Sequence, residues 1–174
     1  MQISVYMKRL LVIILAFVLF ANLGHAQSSA EIKWVDFEDA IAMQKEKPSK
    51  IFLFVYTDWC DYCKYTKETL LKHQPFIDAV NNDFIPVQFN AEQTKEVHFM
   101  GHDLGIQEDS GYHYLPIILM EGKMEFPGFL FINEQTQVVS KQNGVKDDVN
   151  DFTDYVRYIG SDAYLSTKWL DYNN

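Results

Sequence analysis

The sequence feature that most constrains the fold is an apolar run that leads directly into the chain's two cysteines. Residues 51–56 are Ile-Phe-Leu-Phe-Val-Tyr, and such a run is rich in strand-forming residues and too short for a buried helix. Cys60 and Cys63 follow it with two residues between them, and residues 64–72 have a helical pattern. The sequence therefore predicts a buried strand, a turn that carries a Cys-x-x-Cys pair, and a helix that begins at the pair.

The place of the cysteines at the start of a helix predicts reactive thiols. Unpaired backbone N–H groups and the helix dipole favour a thiolate over a thiol at that position. We expect Cys60 to be the nucleophile and Cys63, one turn later, to resolve a mixed disulfide formed at Cys60. Two structural roles fit less well. A bridge that closes so short a loop removes little chain entropy, and a structural zinc ion needs four ligands, whereas the chain has no second cysteine pair.

At these residues the chain resembles the thioredoxin superfamily, in which a strand, a Trp-Cys-x-x-Cys-Lys motif and a helix follow one another. The motif begins here at Trp59 and ends at Lys64, and the resemblance covers roughly residues 31–160. It implies an α/β, thioredoxin-like fold with a central mixed β-sheet flanked by α-helices, and a cis-proline that faces the cysteines. It also implies a thiol–disulfide oxidoreductase that needs no cofactor, with disulfide-containing protein substrates and a thiol electron donor as partners.

The rest of the chain predicts the elements of that fold in order. Residues 32–35 have the pattern of an edge strand, and Asp36 is placed to cap a helix. A helix that begins at Pro75 and a strand at residues 84–89 follow the cysteine helix, so that two parallel strands are joined by a right-handed crossover. Before the cis-proline strand, residues 90–111 form an insertion longer than the family needs, with a small hairpin or loop at its centre.

Two prolines compete for the cis-proline position, because Pro116 and Pro127 both precede apolar runs. After Pro127 the chain offers a strand, a polar turn, a second strand and a terminal helix, which is the ending that the resemblance implies. Starting from Pro116 leaves one strand too many. We therefore assign the cis-proline to Pro127, expect a short helix within residues 112–120, and predict a C-terminal helical extension at residues 161–174.

Five further residues are expected to shape the site. Trp59 would shield the sulfur atoms and contact an incoming polypeptide, and the resemblance implies that Phe126 and Pro127 dock an extended substrate. Asp61 and Tyr62 lie between the cysteines and are the expected redox-tuning residues. The negative charge of Asp61 opposes a thiolate at the first cysteine, and a less stabilised thiolate gives a less oxidising disulfide.

The chain departs from the resemblance at two positions. The family's buried acid, six positions before the first cysteine, is Phe54 here, and its lysine on the neighbouring strand is Gln88. Cys63 thereby loses its expected general base, and its proton would pass to water or to Asp58. These departures, together with the charge of Asp61, favour a disulfide reductase or isomerase over a strong oxidase.

The N-terminus predicts export. Two cations precede an apolar stretch, and residues 24–26 are Gly-His-Ala, a small-x-small cleavage site. We expect residues 1–26 to be a signal peptide and residues 27–174 a thioredoxin-like domain, periplasmic or secreted from a bacterium, without stable membrane insertion after cleavage. The net formal charge is −9, and residues 1–26 hold two cations and no acid, so the mature domain would carry −11. That charge argues against nucleic acid as a partner.

Three other classes of function could use some of these residues. The cysteines could serve a non-enzymatic thiol chaperone, or a metal-binding protein that uses Cys60 and Cys63 with a histidine. His98 and His102 are four residues apart and Asp103 follows, but this stretch is weakly helical and we expect no metal site. A peroxidase is disfavoured because the chain lacks a Pro-x-x-x-Thr-x-x-Cys pattern.

Overall fold

The computed structural model describes residues 31–173, so the signal peptide assigned to residues 1–26 lies outside it. The strands are β1 (Lys50–Tyr56), β2 (Phe84–Asn90), β3 (Val97–Phe99), β4 (His102–Leu104), β5 (Gly128–Ile132) and β6 (Val138–Asn143). The α-helices of this part are α1 (Phe37–Glu46), α2 (Asp61–Glu68), α3 (Gln74–Asp83), α4 (Tyr114–Leu119), α5 (Val149–Gly160) and α6 (Trp169–Tyr172). Short 3-10 turns follow α2 at Leu70–Lys72 and α5 at Ala163–Leu165.

The central sheet is mixed, as predicted. It has the strand order β2-β1-β5-β6, and β3 and β4 form a separate hairpin. β1 pairs parallel with β2 and antiparallel with β5, which pairs antiparallel with β6. Leu53 at the centre of β1 stands opposite Val87 on one side and Leu130 on the other. The apolar run before the cysteines is therefore the buried centre of the sheet.

The two faces of the sheet have differently built cores, because successive residues of a strand point to opposite sides. The aromatic face carries buried phenylalanine rings from β1 and its neighbours: Phe52, Phe54, Phe76, Phe84, Phe129, Phe131 and Phe152. The aliphatic face carries mainly branched side chains: Ile51, Leu53, Val55, Val87, Leu115, Leu119, Leu130 and Ile132. α3 and α5 cover the aromatic face, and α1 and α4 cover the aliphatic face.

Predictions for two helices and the insertion are confirmed. Pro75 lies in the first turn of α3, where the missing backbone donor costs nothing. Pro116 lies inside the short helix α4. The insertion between β2 and α4 folds its centre into the antiparallel β3–β4 hairpin.

The edge strand predicted at residues 32–35 is wrong. Val35 makes an isolated bridge to Val87 and no strand forms around it, because α1 begins almost directly after it. Asp36 precedes α1 but its side chain makes no capping hydrogen bond. Its carboxylate pairs instead with Lys95 of the insertion at 3.0 Å. The Asp36 carboxylate therefore pairs with a lysine from a distant part of the chain and does not cap α1.

The C-terminal extension differs from the helix predicted at residues 161–174. Asp162 has a left-handed φ of 63°, which ends the helical path after α5, and a 3-10 turn and the four-residue α6 follow. Trp169 of α6 packs edge-on against Tyr155, with 5.0 Å between ring centroids. Leu165 is exposed. The extension therefore packs on the domain through an aromatic ring, and its helical parts are too short to bury an aliphatic stripe.

A buried lysine connects the start of β1 to this extension. The Lys50 amine lies 3.2 Å from the Glu134 carboxylate and 2.9 Å from the Asp162 carboxylate, and it donates a hydrogen bond to the Gly160 carbonyl at 3.1 Å. Burial lowers the pKa of Lys50, but the two carboxylates outweigh it and hold the pKa above its ordinary value. The amine is therefore held as an ammonium among three oxygen partners.

A fully buried histidine joins the insertion to α4. The Nδ1 atom of His113 accepts a hydrogen bond from the Leu115 N–H at 3.0 Å, so Nε2–H is the donor to the Lys95 carbonyl at 3.1 Å. The His113 backbone N–H donates to the Ala91 carbonyl at 2.7 Å. Burial lowers the pKa of His113, and hydrogen bonds to the carbonyls of Lys95 and Leu104 oppose only part of that effect. The ring is therefore held neutral.

Candidate active site

The two cysteines form a disulfide at the start of α2. Cys60 directly precedes the helix, and its sulfur accepts a hydrogen bond from the Cys63 N–H at 3.1 Å. Its carbonyl accepts from the Lys64 N–H, also at 3.1 Å. Cys60 is 5% exposed and Cys63 is 1% exposed, so Cys60 is the more accessible of the two. After reduction, the N–H donor and the helix start both favour a thiolate at Cys60.

Trp59 is an exposed ring whose orientation is fixed by a polar network. Its indole Nε1–H donates to the Glu92 carboxylate at 2.9 Å. The Asn90 side chain accepts from the Glu92 N–H at 2.9 Å and donates to the Asp58 carboxylate at 3.0 Å. The indole packs edge-on against Phe126, with 6.1 Å between centroids. A tryptophan held in this way offers a preformed apolar surface to a ligand.

The Phe126–Pro127 peptide bond is cis, as predicted, whereas Pro116 lies in α4. The Phe126 ring also packs edge-on against Tyr112, with 5.5 Å between centroids. Among residues 31–173, no backbone hydrogen bond joins the N–H or the carbonyl of Phe126 to another residue. Both groups therefore lack a backbone partner in this part of the chain, as pairing with an extended ligand requires.

An open groove of about 350 Å³ lies beside the first cysteine. The residues that line it are Trp59, Cys60, Asp61, Tyr62, Met124 and Phe126. Met124 is the one member that sequence reasoning missed, and no motif in the sequence identifies it. The structure thus brings the predicted docking and tuning residues together around Cys60, with Cys63 buried behind it and Pro127 next to Phe126.

The two residues between the cysteines are largely in solvent. The Asp61 side chain is 92% exposed and pairs with Lys64 at 3.0 Å, and Tyr62 is 68% exposed. Water and Lys64 screen much of the Asp61 charge. That these residues tune the redox potential stays a prediction, and for Asp61 the geometry makes the expected effect small.

On the aromatic face next to α2, a phenylalanine occupies the position at which the family has a buried acid. Phe54 is fully buried and stacks on Tyr56, with 5.5 Å between centroids and 14° between ring planes. Gln88 stands opposite Phe54 on β2 and is exposed. This part of the core therefore offers ring contacts to its neighbours and no carboxylate at either position.

A lysine that sequence reasoning did not select lies over the Tyr56 ring. The Lys67 amine is 3.4 Å from the centroid of the Tyr56 ring, which is a cation–π contact. Burial lowers the pKa of Lys67, and the charge of Asp58 opposes only part of that effect. Burial also raises the pKa of Tyr56, and Asp58 adds to it. The four-residue spacing of Cys63 and Lys67, which places them on one helix face, was the sequence signal that could have found this lysine.

The histidines considered as metal ligands lie on the β3–β4 hairpin. His98 Nδ1 is 2.7 Å from the Asp103 carboxylate, and His102 is on the facing strand. The His98–Asp103 contact is exposed on both sides. Within the described part of the chain, no group of three or more His, Cys, Asp or Glu side chains is arranged to hold a metal ion.

Fold and site together define a class of protein: a thioredoxin-like domain with a Cys-x-x-Cys disulfide at a helix start and a cis-proline beside the groove. The family model described as "Thioredoxin-like domain" matches residues 37–160. The chain belongs to that family.

Three solved structures share the fold at low sequence identity. DsbH oxidoreductase is 16% identical with a TM-score of 0.53, and the match covers 81% of this chain and 90% of that one. A candidate disulphide isomerase from Bacteroides thetaiotaomicron is 20% identical with a TM-score of 0.54, over 79% and 98% of the two chains. A thioredoxin from Thermus thermophilus is 13% identical with a TM-score of 0.56, over 75% and 88%. Such identities establish the fold, and the disulfide within it supports thiol–disulfide oxidoreductase chemistry as the class of activity.

Proposed function

We propose that this protein reduces or isomerises disulfides of extracytoplasmic proteins, with Cys60 as the nucleophile and Cys63 as the resolving cysteine. One observation supports this most: Cys60 borders an open groove, and its sulfur accepts a backbone N–H at the start of α2. Cys63 is almost completely buried. An incoming disulfide therefore meets Cys60 first.

The reaction needs no group beyond the two thiols and a disulfide. The Cys60 thiolate attacks one sulfur of the substrate disulfide, that bond breaks, and the other substrate sulfur leaves as a thiolate that takes a proton from water. Cys63 then loses its proton and attacks the Cys60 sulfur of the mixed disulfide. The remaining substrate sulfur leaves as a thiolate. The substrate disulfide has then been reduced to two thiols, and the Cys60–Cys63 pair has been oxidised to a disulfide. A thiol donor returns the pair to the dithiol by the reverse steps.

The groove supports a polypeptide as substrate. The backbone groups of Phe126, which have no backbone partner among residues 31–173, can pair with an extended chain. The Trp59 ring beside Phe126 is fixed by its hydrogen bond to Glu92. Met124 adds a flexible apolar contact to the same groove. Together these residues would hold a substrate strand across Cys60 through backbone pairing and apolar side-chain contact.

The proposed location is the periplasm or the exterior of a bacterium. The support for it is the signal-peptide pattern of residues 1–26. Across residues 31–173, none of the helices is long and apolar enough to cross a bilayer.

The test uses serine at each cysteine in turn. We expect the reduced protein to catalyse insulin-disulfide reduction in the presence of a thiol donor, and Cys60→Ser to lower that rate about 100-fold or more because the nucleophile is lost. Cys63→Ser should accumulate a mixed disulfide at Cys60, visible by mass spectrometry. If alkylation of the reduced protein labels Cys63 before Cys60, the assignment of roles is wrong.

Equilibration with glutathione tests the direction. We expect a redox potential nearer about −270 mV, the value typical of thioredoxin, than about −120 mV, the value of a strong periplasmic oxidant. A potential near about −120 mV would show that the protein is an oxidase and not a reductase or isomerase. A protein that does not reduce insulin, but that prevents aggregation only while both cysteines are present, would instead be a non-enzymatic thiol chaperone.

A further inference from the structure

The resolving cysteine lies in an environment where its thiolate is costly to form. Cys63 is 1% exposed, and burial in an apolar environment disfavours the thiolate of any cysteine. The second step of the proposed reaction nevertheless requires that thiolate. A fixed positive charge near Cys63 would offset the cost of forming it.

Most charged groups near the disulfide are directed to water or already paired. On α2, Asp61 and Lys64 pair with each other at the surface. In the loop before the disulfide, the Asp58 carboxylate accepts a hydrogen bond from Asn90. From the sheet, β1 contributes the phenol of Tyr56, and the exposed side chain on the neighbouring strand is the neutral Gln88.

Lys67 is different, because it is half-buried and adjoins the buried face of α2, which carries Cys63 and Thr66. It follows Cys63 by four residues, a spacing that puts two side chains on one helix face with about 5–6 Å between their Cβ atoms. Its amine is held 3.4 Å from the Tyr56 ring centroid. Burial removes water from around the Lys67 amine and thereby lowers its pKa. A charge with less water around it acts more strongly on its neighbours than a charge at the surface.

The same lysine lines a water-accessible groove of about 540 Å³ on the outside of the domain. The groove is also lined by Gln88, Trp34 and Leu71, and its other charged residues are Glu31 and Lys72. Lys72 is exposed and paired with Glu68. Lys67 therefore stands between the buried face of α2 and a groove that is open to solvent.

We propose that Lys67, held by the Tyr56 ring, is a positioning residue that stabilises the Cys63 thiolate during resolution of the mixed disulfide. The inference rests on the proposed function. In this step Cys63 gives its proton to water, its thiolate attacks the Cys60 sulfur, and the substrate sulfur leaves with the electron pair of the broken bond. Lys67 keeps its own proton throughout and acts through its charge alone.

The experiment measures the Cys63 thiol without any substrate. In a Cys60→Ser background, the ultraviolet absorbance of the thiolate is followed against pH for Lys67→Met, Lys67→Arg and the parent. We expect Lys67→Met to raise the titration midpoint of Cys63 by about one pH unit, since one nearby charge is lost. Lys67→Arg should restore most of the parent midpoint because it keeps the charge.

Lys72→Met is the matched control, because Lys72 lines the same groove from the surface and should leave the midpoint unchanged. Lys67→Gln serves as a second neutral variant, should the methionine variant fail to fold. In the protein with both cysteines, single-turnover resolution at neutral pH should slow about 10-fold in the neutral variants, with a smaller effect on the first attack by Cys60.

An unchanged Cys63 midpoint in both neutral variants, or equal shifts for Lys67→Met and Lys72→Met, would overturn the inference. A purely structural role for Lys67 would lower the melting temperature and leave the midpoint in place. Because the titration uses no substrate, it is independent of the insulin assay. Failure of insulin reduction with a shifted midpoint would count against the proposed function and leave the role of Lys67 intact.

Discussion

The aromatic and aliphatic faces of the sheet contribute different parts of the site. α2 continues into Leu70, which packs in the aromatic cluster, and Lys67 contacts Tyr56 on that side. Phe126 and Met124 pack against the aliphatic cluster. The segment that follows the cysteines is therefore anchored on the aromatic side of the sheet, and two of the groove residues are anchored on the aliphatic side. This separation would let substrate docking change without changing the redox chemistry.

The two faces are also stabilised in different ways. On the aromatic face, Phe52 has ring contacts within 6.4 Å to five other residues: Trp34, Phe76, Phe84, Phe129 and Phe131. On the aliphatic face, a buried polar residue, His113, is locked between the insertion and α4. One face thus depends on interlocking rings, while the other combines branched side chains with a hydrogen-bonded histidine.

The largest expected effect is on stability, from two adjacent residues of β1 that point to opposite faces. We expect Phe52→Ala to lower the free energy of unfolding by about 4–5 kcal/mol and Leu53→Ala by about 3 kcal/mol, because the phenylalanine leaves the larger cavity among rings that cannot all move into it. Denaturant unfolding of the oxidised protein measures both. A larger loss for Leu53→Ala would mean that the aliphatic face is the more tightly packed core.

A smaller, pH-dependent effect is expected at His113. Its pKa in the folded protein is lowered by burial, so the unfolded chain binds more protons, and the contribution of the neutral ring is complete above about pH 6.5 and is lost as the pH falls below that value. His113→Ala should cost about 1–3 kcal/mol at neutral pH, because the Leu115 N–H loses its acceptor. The variant should lose less stability than the parent between neutral and mildly acidic pH.

Unfolding curves at several pH values test this prediction, with His102→Ala as the control because His102 is exposed on the hairpin. The redox potential of His113→Ala should equal that of the parent if docking and redox chemistry are separately supported. A shifted potential would contradict the separation of the two faces, and equal pH dependence in the variant and the parent would show that His113 is not the group responsible.

The smallest effect is expected at Asp61, on the outer side of α2. Asp61→Asn removes a charge that opposes the Cys60 thiolate, so the potential should move upward. Since the carboxylate is exposed and paired with Lys64, the shift should be about 10 mV or less. Equilibration with glutathione measures it. A large upward shift would show that the outer surface of α2, rather than its inner face, sets the properties of the thiols.

Local patterns explain what could be predicted from the sequence. The strand before Cys60, the helix start at the cysteines and the assignment of Pro127 all depend on residues that are neighbours in the chain. The mixed sheet followed from the succession of strands and helices after them. These features were predictable because their causes, strand propensity and turn chemistry, act over a few residues.

The features that were missed depend on partners that are distant in sequence. Asp36 was expected to cap α1, but its carboxylate pairs with Lys95 from the insertion. The cation–π contact of Lys67 requires Tyr56 from the end of another element. No periodicity in the sequence tells which of several lysines will reach a given ring or acid, because that choice is made when the elements pack.

The ion pairs of Lys50 extend beyond the residues that the family model matches. The family match stops at Gly160, but one of the two carboxylates around the buried ammonium belongs to Asp162, and the Tyr158 hydroxyl donates to the Thr167 carbonyl. A chain cut after residue 160 would lose both contacts and leave Lys50 with Glu134 as its one carboxylate. The last turns therefore complete the surroundings of a buried ammonium, and we expect a chain cut after residue 160 to unfold at a lower denaturant concentration than the longer chain.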